Sequence, residues 1–226
     1  MAVLPKLAAE FAEDQIHSRI LPTEFAKAGE CISELLMETT PDIAISLGMS
    51  GRSNVVQLER FAVNLIDTLR PDNAGAKPRE AAIQEDATVA YSIPDLAELR
   101  NALRRVGIPA TVSNSAGTYV CNSTMYRALA VIKCQCLATR YLFIHLPALP
   151  TEVAARSEHY INGPSCSLEM MSDAVRYAIE WLSGRLLHPA LLTRIVTDDL
   201  VVRPWQTHDL ASLLAAGVAA DDTWST

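Results

Sequence analysis

The chain alternates short apolar runs with longer amphipathic segments, and this alternation restricts its fold more than any other feature. The run Asp42–Gly48 is apolar at most positions, which is typical of a strand buried on both faces of a parallel sheet. Thr23–Thr39 and Pro94–Val106 instead repeat apolar residues at helical spacing. Strands that alternate with helices predict a three-layer α/β/α sandwich around a mostly parallel, mixed central sheet.

Other segments fit the same architecture. We expect strands at Gln15–Leu21, Ala110–Ser113 and Tyr141–Ile144, an apolar segment at Leu58–Leu65, a turn at Pro71–Gly75, and helices at Met1–Glu13, Asn122–Ile132 and Ser165–Leu187. Beyond His188 the periodicity weakens, and two apolar pieces remain, Ile195–Val202 and Leu210–Val218. The sequence therefore predicts one α/β domain over residues 1–187 and a C-terminal extension over residues 188–226 whose role has no signature.

Composition narrows the class of protein. Half of the 226 residues are apolar, which is enough for a substantial core. The formal net charge of -7 argues against nucleic acid as the main partner, because phosphate binding needs a basic face. No apolar run approaches the length that spans a bilayer, and no secretory signal opens the chain. Five scattered cysteines, an odd number, indicate free thiols in a reducing, cytoplasmic setting.

Cys121 has the most suggestive setting of the five cysteines. A small, glycine-containing stretch, Asn114–Val120, precedes it, and a predicted helix follows. A thiol at such a junction lies near the positive end of the helix, where a thiolate is favoured. The alternative is an inert cysteine that packs as a small hydrophobe. Cys134 and Cys136 are one residue apart, which is poor spacing for a zinc site, so a structural role suits them better than a metal site or a redox pair.

Three features follow predicted strands and can meet at one edge of the sheet. They are the glycine loop after Gly48, the Cys121 junction and His145. Ligand sites in parallel sheets collect at the carboxyl ends of the strands. A catalytic thiol needs a base such as histidine, and a carboxylate such as Glu59 can hold the imidazole in place. Taken singly, His145 could be a core histidine and Glu59 a solvated edge carboxylate.

The order and spacing of several segments resemble one family of cysteine peptidases, pyroglutamyl-peptidase I, also called pyrrolidone-carboxylate peptidase. The matching segments are Pro41–Ile45, Gly51–Ser53, Glu59–Asn64, Pro71–Asn73, Gly107–Ala110, Asn114–Asn122, Phe143–Pro147 and Pro164–Met170. The segments around Glu59 and Cys121 are the most distinctive together. The resemblance extends from about Ile20 to about Leu182.

The resemblance implies that Glu59, Cys121 and His145 form the family's catalytic triad. Cys121 would attack the carbonyl of an N-terminal pyroglutamyl residue and form a thioester acyl-enzyme. His145 would serve as base and then acid, while Glu59 orients the imidazole. The resemblance also implies peptides with N-terminal pyroglutamate as partners, a homo-oligomer (dimer or tetramer), and no metal or organic cofactor.

The family's pocket for the pyroglutamyl ring maps onto four positions. Tyr119 and Val120 stand where an aromatic and an aliphatic residue precede the nucleophile. Thr23 matches a pocket threonine, and Met49 stands in the loop whose backbone contacts the lactam. The resemblance therefore implies that these four residues bind the substrate.

Two departures from the family leave a second hypothesis open, in which the chain is a truncated or degenerate, non-catalytic homologue that acts as a binding or assembly partner. The family opens with a strand and a Thr-Gly-Phe-x-Pro-Phe-Gly-Gly loop whose aromatics clasp the ring. This sequence contains no such segment, so we expect a ring pocket that is open to water. In addition, the arginine and isoleucine that the family carries after the triad glutamate fall on Leu69 and Arg70.

Overall fold

A computed structural model of the chain describes residues 16–85, 90–155 and 163–184, together with the backbone of residues 195–196 and 201–202. The chain divides into two compact units, Met1–Leu186 and Leu187–Thr226. The expected helix Met1–Glu13 and the apolar piece Leu210–Val218 lie outside the described residues.

The first unit alternates strands and helices as the sequence predicts. Its helices are α1 (Phe25–Thr39), α2 (Leu96–Arg105), α3 (Val120–Cys134), α4 (Pro150–Ala154) and α5 (Leu168–Leu182). Its strands are β1 (Ile43–Ser50), β2 (Val56–Glu59), β3 (Phe61–Val63), β4 (Ala90–Ser92), β5 (Ala110–Ser113) and β6 (Arg140–Pro147). In the second unit, β7 (Ile195–Val196) and β8 (Val201–Val202) form an antiparallel pair.

The central sheet is mixed. Its four strands run in the order β1-β6-β2-β5. The β1–β6 and β2–β5 pairs are parallel, whereas β2 meets β6 antiparallel, with Gln57 opposite His145. Helix α1 packs on α3 and α2 packs on α5, while α3 and α5 both contact β6. The prediction of an α/β/α fold around a mostly parallel, mixed sheet is confirmed.

The burial of the strands follows their place in the sheet. The inner strand β6 is buried at every position after Arg140, which explains its almost continuous apolar sequence. Strand β1 forms where the sequence predicts it, but it is half-buried rather than fully buried. It lies at one edge of the four-stranded sheet, and no other described strand covers its free side. Among the described residues, no helix combines the length and apolarity needed to cross a bilayer.

Two sequence expectations are wrong in detail. Residues 16–21 form no strand, because Ile20 is 67% exposed and alternating polarity forms a strand only where a partner strand is available. The last helix begins at Leu168, three residues later than expected. The Ser167 hydroxyl accepts a hydrogen bond from the backbone N–H of Met170 at 3.3 Å, which makes Ser167 the N-cap.

Asp72 fixes the start of α1 from 47 residues away. One carboxylate oxygen accepts the backbone N–H of Phe25 at 2.9 Å, and the other accepts those of Ala74 and Ala76 at 3.0 and 2.8 Å. The predicted turn at Pro71–Gly75 is therefore present and is closed by the side chain that caps the helix. The hydrogen bond from Phe25, above all, lowers the pKa of Asp72 below its ordinary value.

We expect Asp72→Ala to lower the melting temperature at neutral pH, and the deficit to shrink in acid. A carboxylate with a lowered folded-state pKa stabilises the protein fully above its unfolded pKa of about 3.9. That stabilisation is lost as the pH falls through the folded-state pKa. Melting curves by circular dichroism from about pH 7 to about pH 2 test this expectation. Asp42→Ala, at an exposed carboxylate, is the control. A deficit that is independent of pH would contradict the capping role.

Candidate active site

The sheet register brings a histidine and a glutamate into contact. Because Gln57 pairs with His145, the side chains of Gln57, His145 and Glu59 lie on one face, with Glu59 on the diagonal from His145. His145 Nδ1 lies 2.7 Å from Glu59 Oε1. His145 is 8% exposed and Glu59 is 1% exposed. The two groups therefore form a buried hydrogen-bonded pair.

Cys121 completes a chain of three groups. It is the second residue of α3, which begins at Val120, so the thiol lies within the first helical turn rather than before it. The half-buried thiol lies next to the imidazole of His145, close enough to raise the pKa of His145. Since Nδ1 is bonded to Glu59, Nε2 is the nitrogen left for the thiol. The structure thus brings together the three residues predicted as a triad.

The site differs from the expected arrangement at strand ends. Gly48 and His145 are partners within the parallel β1–β6 ladder, and neither lies in a loop after its strand. Glu59 reaches His145 from an antiparallel strand. The groups therefore meet on one face of the sheet, at the side where α3 begins, and this meeting depends on register rather than on parallel strand ends.

The local environment controls the charge of His145. Burial alone would lower the pKa of His145, because it disfavours the imidazolium. Hydrogen bonds to Cys121 and Glu59, and the negative charges on these groups, outweigh that penalty and raise the pKa of His145 to about 9. At neutral pH the imidazole is therefore protonated and lies between two acidic groups.

The buried carboxylate of Glu59 is stabilised by His145. Within the described part of the chain, its second oxygen, Oε2, is buried and has no hydrogen-bond partner. A buried carboxylate with few partners is costly unless a cation compensates it. The imidazolium of His145 is the compensating charge within hydrogen-bond distance. The carboxylate therefore both orients the imidazole and stabilises its protonated form.

Small residues on β1 make room for large ones on β6. The register pairs are Ala44 with Tyr141, Ser46 with Phe143, and Gly48 with His145. The Tyr141 hydroxyl donates a hydrogen bond to Ser46 Oγ at 2.8 Å. A Cβ atom at Gly48 would lie 2.8 Å from His145 Cδ2 and 3.0 Å from Nε2. Only glycine at position 48 leaves the imidazole in place.

The predicted ring-pocket residues do not all share one surface. Tyr119 packs edge-on against Phe25, with ring centroids 5.3 Å apart, and its hydroxyl donates to the Pro71 carbonyl at 2.9 Å. Thr23 is exposed just before α1, and its carbonyl accepts the N–H of Asn73. Tyr119 and Thr23 therefore lie in one neighbourhood, joined by the segment around Pro71.

The other two pocket positions are placed differently from the expectation. Met49 lies on β1, not in a loop, and its 58% exposed side chain points to the face opposite Gly48. Val120 is 6% exposed and packs in the hydrophobic core. Of the two positions where the sequence departs from the family, Leu69 is 74% exposed, whereas the guanidinium of Arg70 lies 5.8 Å from the centre of the Tyr119 ring.

Sequence reasoning missed two contributors to the site. Gly48, expected only as the last residue of a strand, leaves the space that the imidazole occupies. Asn122 is completely buried one residue after the thiol, where it bonds to the backbone of β3. The sequence signals Asn122 only by placing a polar residue at a position of the predicted helix that should be buried. Across the described residues, no cluster of three or more His, Cys, Asp or Glu side chains could hold a metal ion.

We expect Gly48→Ala to slow the alkylation of Cys121 by iodoacetamide at pH 7 by about tenfold, because losing one hydrogen bond to a charged group costs about 1.5–3 kcal/mol. The new methyl group would displace the imidazole from the thiol. Alkylation of the peptide that contains Cys121 is followed by mass spectrometry. Gly29→Ala is the control, since the three atoms nearest to its Cβ would all belong to the flexible Arg127 side chain. Equal rates for the two variants would contradict the role of Gly48.

Comparisons with known proteins place the chain in a family. The family model for pyroglutamyl peptidase matches residues 3–184. The chain is 37% identical to the pyrrolidone-carboxylate peptidase of Pyrococcus furiosus over 179 residues, which cover 79% of this chain and 86% of the relative. It is 37% identical to that of Enterococcus faecalis over 180 residues, covering 77% and 81% of the two chains.

Solved structures agree with the sequence comparison. The pyrrolidone carboxyl peptidase of Fervidobacterium islandicum AW-1 superposes with a TM-score of 0.76 at 34% identity, covering 81% of this chain and 88% of the other. That of Thermococcus litoralis gives a TM-score of 0.72 at 34% identity, covering 81% and 87%. The chain therefore belongs to the pyroglutamyl peptidase family.

Proposed function

We propose that this chain hydrolyses the bond after an N-terminal pyroglutamyl residue of a peptide, with Cys121 as nucleophile, His145 as base and acid, and Glu59 as the group that orients His145. The observation that carries this proposal is the placement of the Cys121 thiol beside an imidazole that is hydrogen-bonded to the Glu59 carboxylate. Family membership supports the choice of substrate. The arrangement has the geometry of a nucleophile, a base and an orienting acid.

The first half of the reaction forms an acyl-enzyme. The sulfur of Cys121 attacks the pyroglutamyl carbonyl carbon, and its proton resides on His145. As the tetrahedral intermediate collapses, the carbon–nitrogen bond breaks. His145 then donates the proton to the leaving amine. The products of this half are a shortened peptide and a pyroglutamyl thioester on Cys121.

The second half regenerates the thiol. His145, now neutral, takes a proton from a water molecule, which attacks the thioester carbonyl. The carbon–sulfur bond breaks, pyroglutamate leaves, and the proton returns to the imidazole–thiol pair. Throughout the cycle the Glu59 carboxylate holds Nδ1, so that Nε2 always faces the reacting atoms.

The start of α3 supplies the means to stabilise the oxyanion. The first N–H groups of a helix have no partner within the helix, and Tyr119, at the N-cap, provides no side-chain cap. The backbone N–H groups around Cys121 are therefore donors close to the carbon under attack. The partial positive charge of the helix N-terminus adds to their effect.

We propose that the pyroglutamyl ring binds beside Tyr119. The edge contact between Phe25 and Tyr119 and the hydrogen bond from Tyr119 to Pro71 hold one aromatic face near the nucleophile. Thr23 lies in the same neighbourhood. Met49 would contribute through its backbone, since its side chain faces away, and Val120 would shape the pocket from the core side.

The setting of the reaction is also a proposal. We infer a cytoplasmic location because all five cysteines are free and a thiol nucleophile needs a reducing environment. We infer a homo-oligomer, a dimer or tetramer, because large apolar side chains such as Phe61 and Met37 are exposed. We assign catalysis to the domain of residues 1–187 and no role to residues 188–226.

The direct test is release of an arylamine from a pyroglutamyl-arylamide under reducing conditions. We expect turnover by the wild type and a loss of at least about 1,000-fold in Cys121→Ser, as for removal of a catalytic nucleophile. Cys134→Ser is the matched control, because Cys134 is an exposed thiol at the opposite end of the same helix. Absence of turnover in folded wild-type protein would instead support the non-catalytic homologue.

The pH profile tests the role of Glu59. We expect kcat/KM to decline on the alkaline side near pH 9, where His145 loses the proton that the leaving amine requires. Glu59→Gln removes a negative charge that raises the pKa of His145, so its alkaline limb should move to lower pH. An unmoved limb in Glu59→Gln would show that the carboxylate does not control the imidazole.

A further inference from the structure

Asn122 is a buried amide that joins the helix of Cys121 to the strand beyond Glu59. Its side chain is 0% exposed and makes three hydrogen bonds, all to backbone groups. Its Oδ1 accepts the N–H of Val63 at 2.9 Å, while its Nδ2 donates to the carbonyls of Val63 at 2.9 Å and Leu65 at 3.0 Å. The amide thus pairs with Val63 as a neighbouring peptide group would in a sheet.

These bonds connect Asn122 to the backbone that follows Glu59, so the helix of Cys121 contacts the Glu59–His145 pair by a second route. The thiol of Cys121 contacts His145, and His145 contacts Glu59. Val63 lies four residues after Glu59 in the chain, and its backbone N–H donates to the side chain of Asn122 on α3. Side-chain contacts and short stretches of backbone thus connect Cys121 with Glu59 by two routes, so the position of the thiol is coupled to that of the carboxylate.

The residues before Cys121 are tied to the same segment. The hydroxyl of Thr118 donates to the carbonyl of Asp67 at 2.6 Å, and the N–H of Asp67 donates to the carbonyl of Thr118 at 3.3 Å. These contacts reinforce the attachment that Asn122 makes inside the helix. Asn122 differs from them in being completely buried, so water cannot take over its hydrogen bonds if the side chain is removed.

We propose that Asn122 is a positioning residue, which sets the distance and direction of Cys121 relative to His145 by anchoring the first turn of α3 to Val63. The inference rests on the proposed function and deepens it. Asn122 touches neither the imidazole nor the carboxylate through any hydrogen bond of its side chain in the described structure, so it acts through the helix. Its loss displaces the nucleophile while leaving the Glu59–His145 pair in place.

The chain contains a matched control in Asn64. Its side chain also makes three hydrogen bonds to backbone, accepting the N–H groups of Ile83 and Gln84 at 2.8 and 2.9 Å and donating to the Gln84 carbonyl at 2.7 Å. It anchors a loop rather than the helix of Cys121. Asn64 is half-buried and lies between Val63 and Leu65, so Asn64→Ala removes the same number of side-chain bonds to backbone next to the attachment point but leaves the three bonds of Asn122 in place.

The experiment compares Asn122→Ala with Asn64→Ala for arylamide hydrolysis and for alkylation of Cys121 as a function of pH. We expect both variants to melt at lower temperature. In Asn122→Ala alone, kcat per folded molecule should fall about tenfold to 100-fold with KM within about twofold, because a misplacement of about 1 Å can cost on the order of 100-fold. The alkylation profile of Asn122→Ala should shift as well, whereas that of Asn64→Ala should match the wild type.

Equal kcat values per folded molecule in the two variants, with unshifted alkylation profiles, would overturn the proposal and leave Asn122 a purely structural residue. If Asn122→Ala does not fold, Thr118→Val decides, since it removes one bond of the same attachment at a half-buried position. A lower kcat at unchanged KM supports the proposal, and an unchanged kcat overturns it. Alkylation requires no substrate, so failure of the proposed function, seen as an inactive wild type, is distinguishable from failure of this inference.

Discussion

The hydrogen bond between His145 and Glu59 is the contact on which the rest of the site depends. Both side chains are almost fully buried, and the second carboxylate oxygen has no partner among the described residues. Removing one partner from a buried ion pair costs about 3–5 kcal/mol, because the other charge is left uncompensated. The two residues therefore hold each other in place, and the protonated imidazole between carboxylate and thiol follows from that mutual dependence.

The surrounding structure keeps this contact in one geometry. The antiparallel register of β2 and β6 sets Glu59 on the diagonal from His145, and Gly48 on β1 leaves space for the ring. On the other side, α3 presents Cys121 from its first turn. Strand β2 thus places Glu59, strand β6 places His145 and helix α3 places Cys121, and none of these three residues lies in a loop.

Much of the fold could be predicted from sequence because its elements have strong periodicity. Strand β5 occupies the residues expected, Ala110–Ser113, and α1 begins two residues inside its predicted segment. The exposed chain at residues 16–21 could not be distinguished from a strand, because alternation of polarity does not reveal whether a partner strand exists. The half-burial of β1 likewise depends on its neighbours, not on its own composition.

The candidate site, like the fold, could be predicted from the sequence only in part. Cys121, His145 and Glu59 were predicted together through the family resemblance, and the structure brings them into contact. The antiparallel meeting of β2 and β6 could not be predicted, because strand pairing joins residues far apart in sequence. The role of Asn122 could not be predicted for a similar reason, since its partners lie 57 and 59 residues away in the sequence.

If Cys121 is the nucleophile, it becomes acylated during turnover, and trapping of the acyl-enzyme tests this step directly. The protein is mixed with an activated aryl ester of pyroglutamate, whose good leaving group makes deacylation the slower half, and is quenched in acid. Mass spectrometry of the digested protein should show one pyroglutamyl group on the Cys121 peptide, which hydroxylamine removes. Turnover of the ester without this adduct, or with an adduct on a different residue, would show that Cys121 is not the nucleophile.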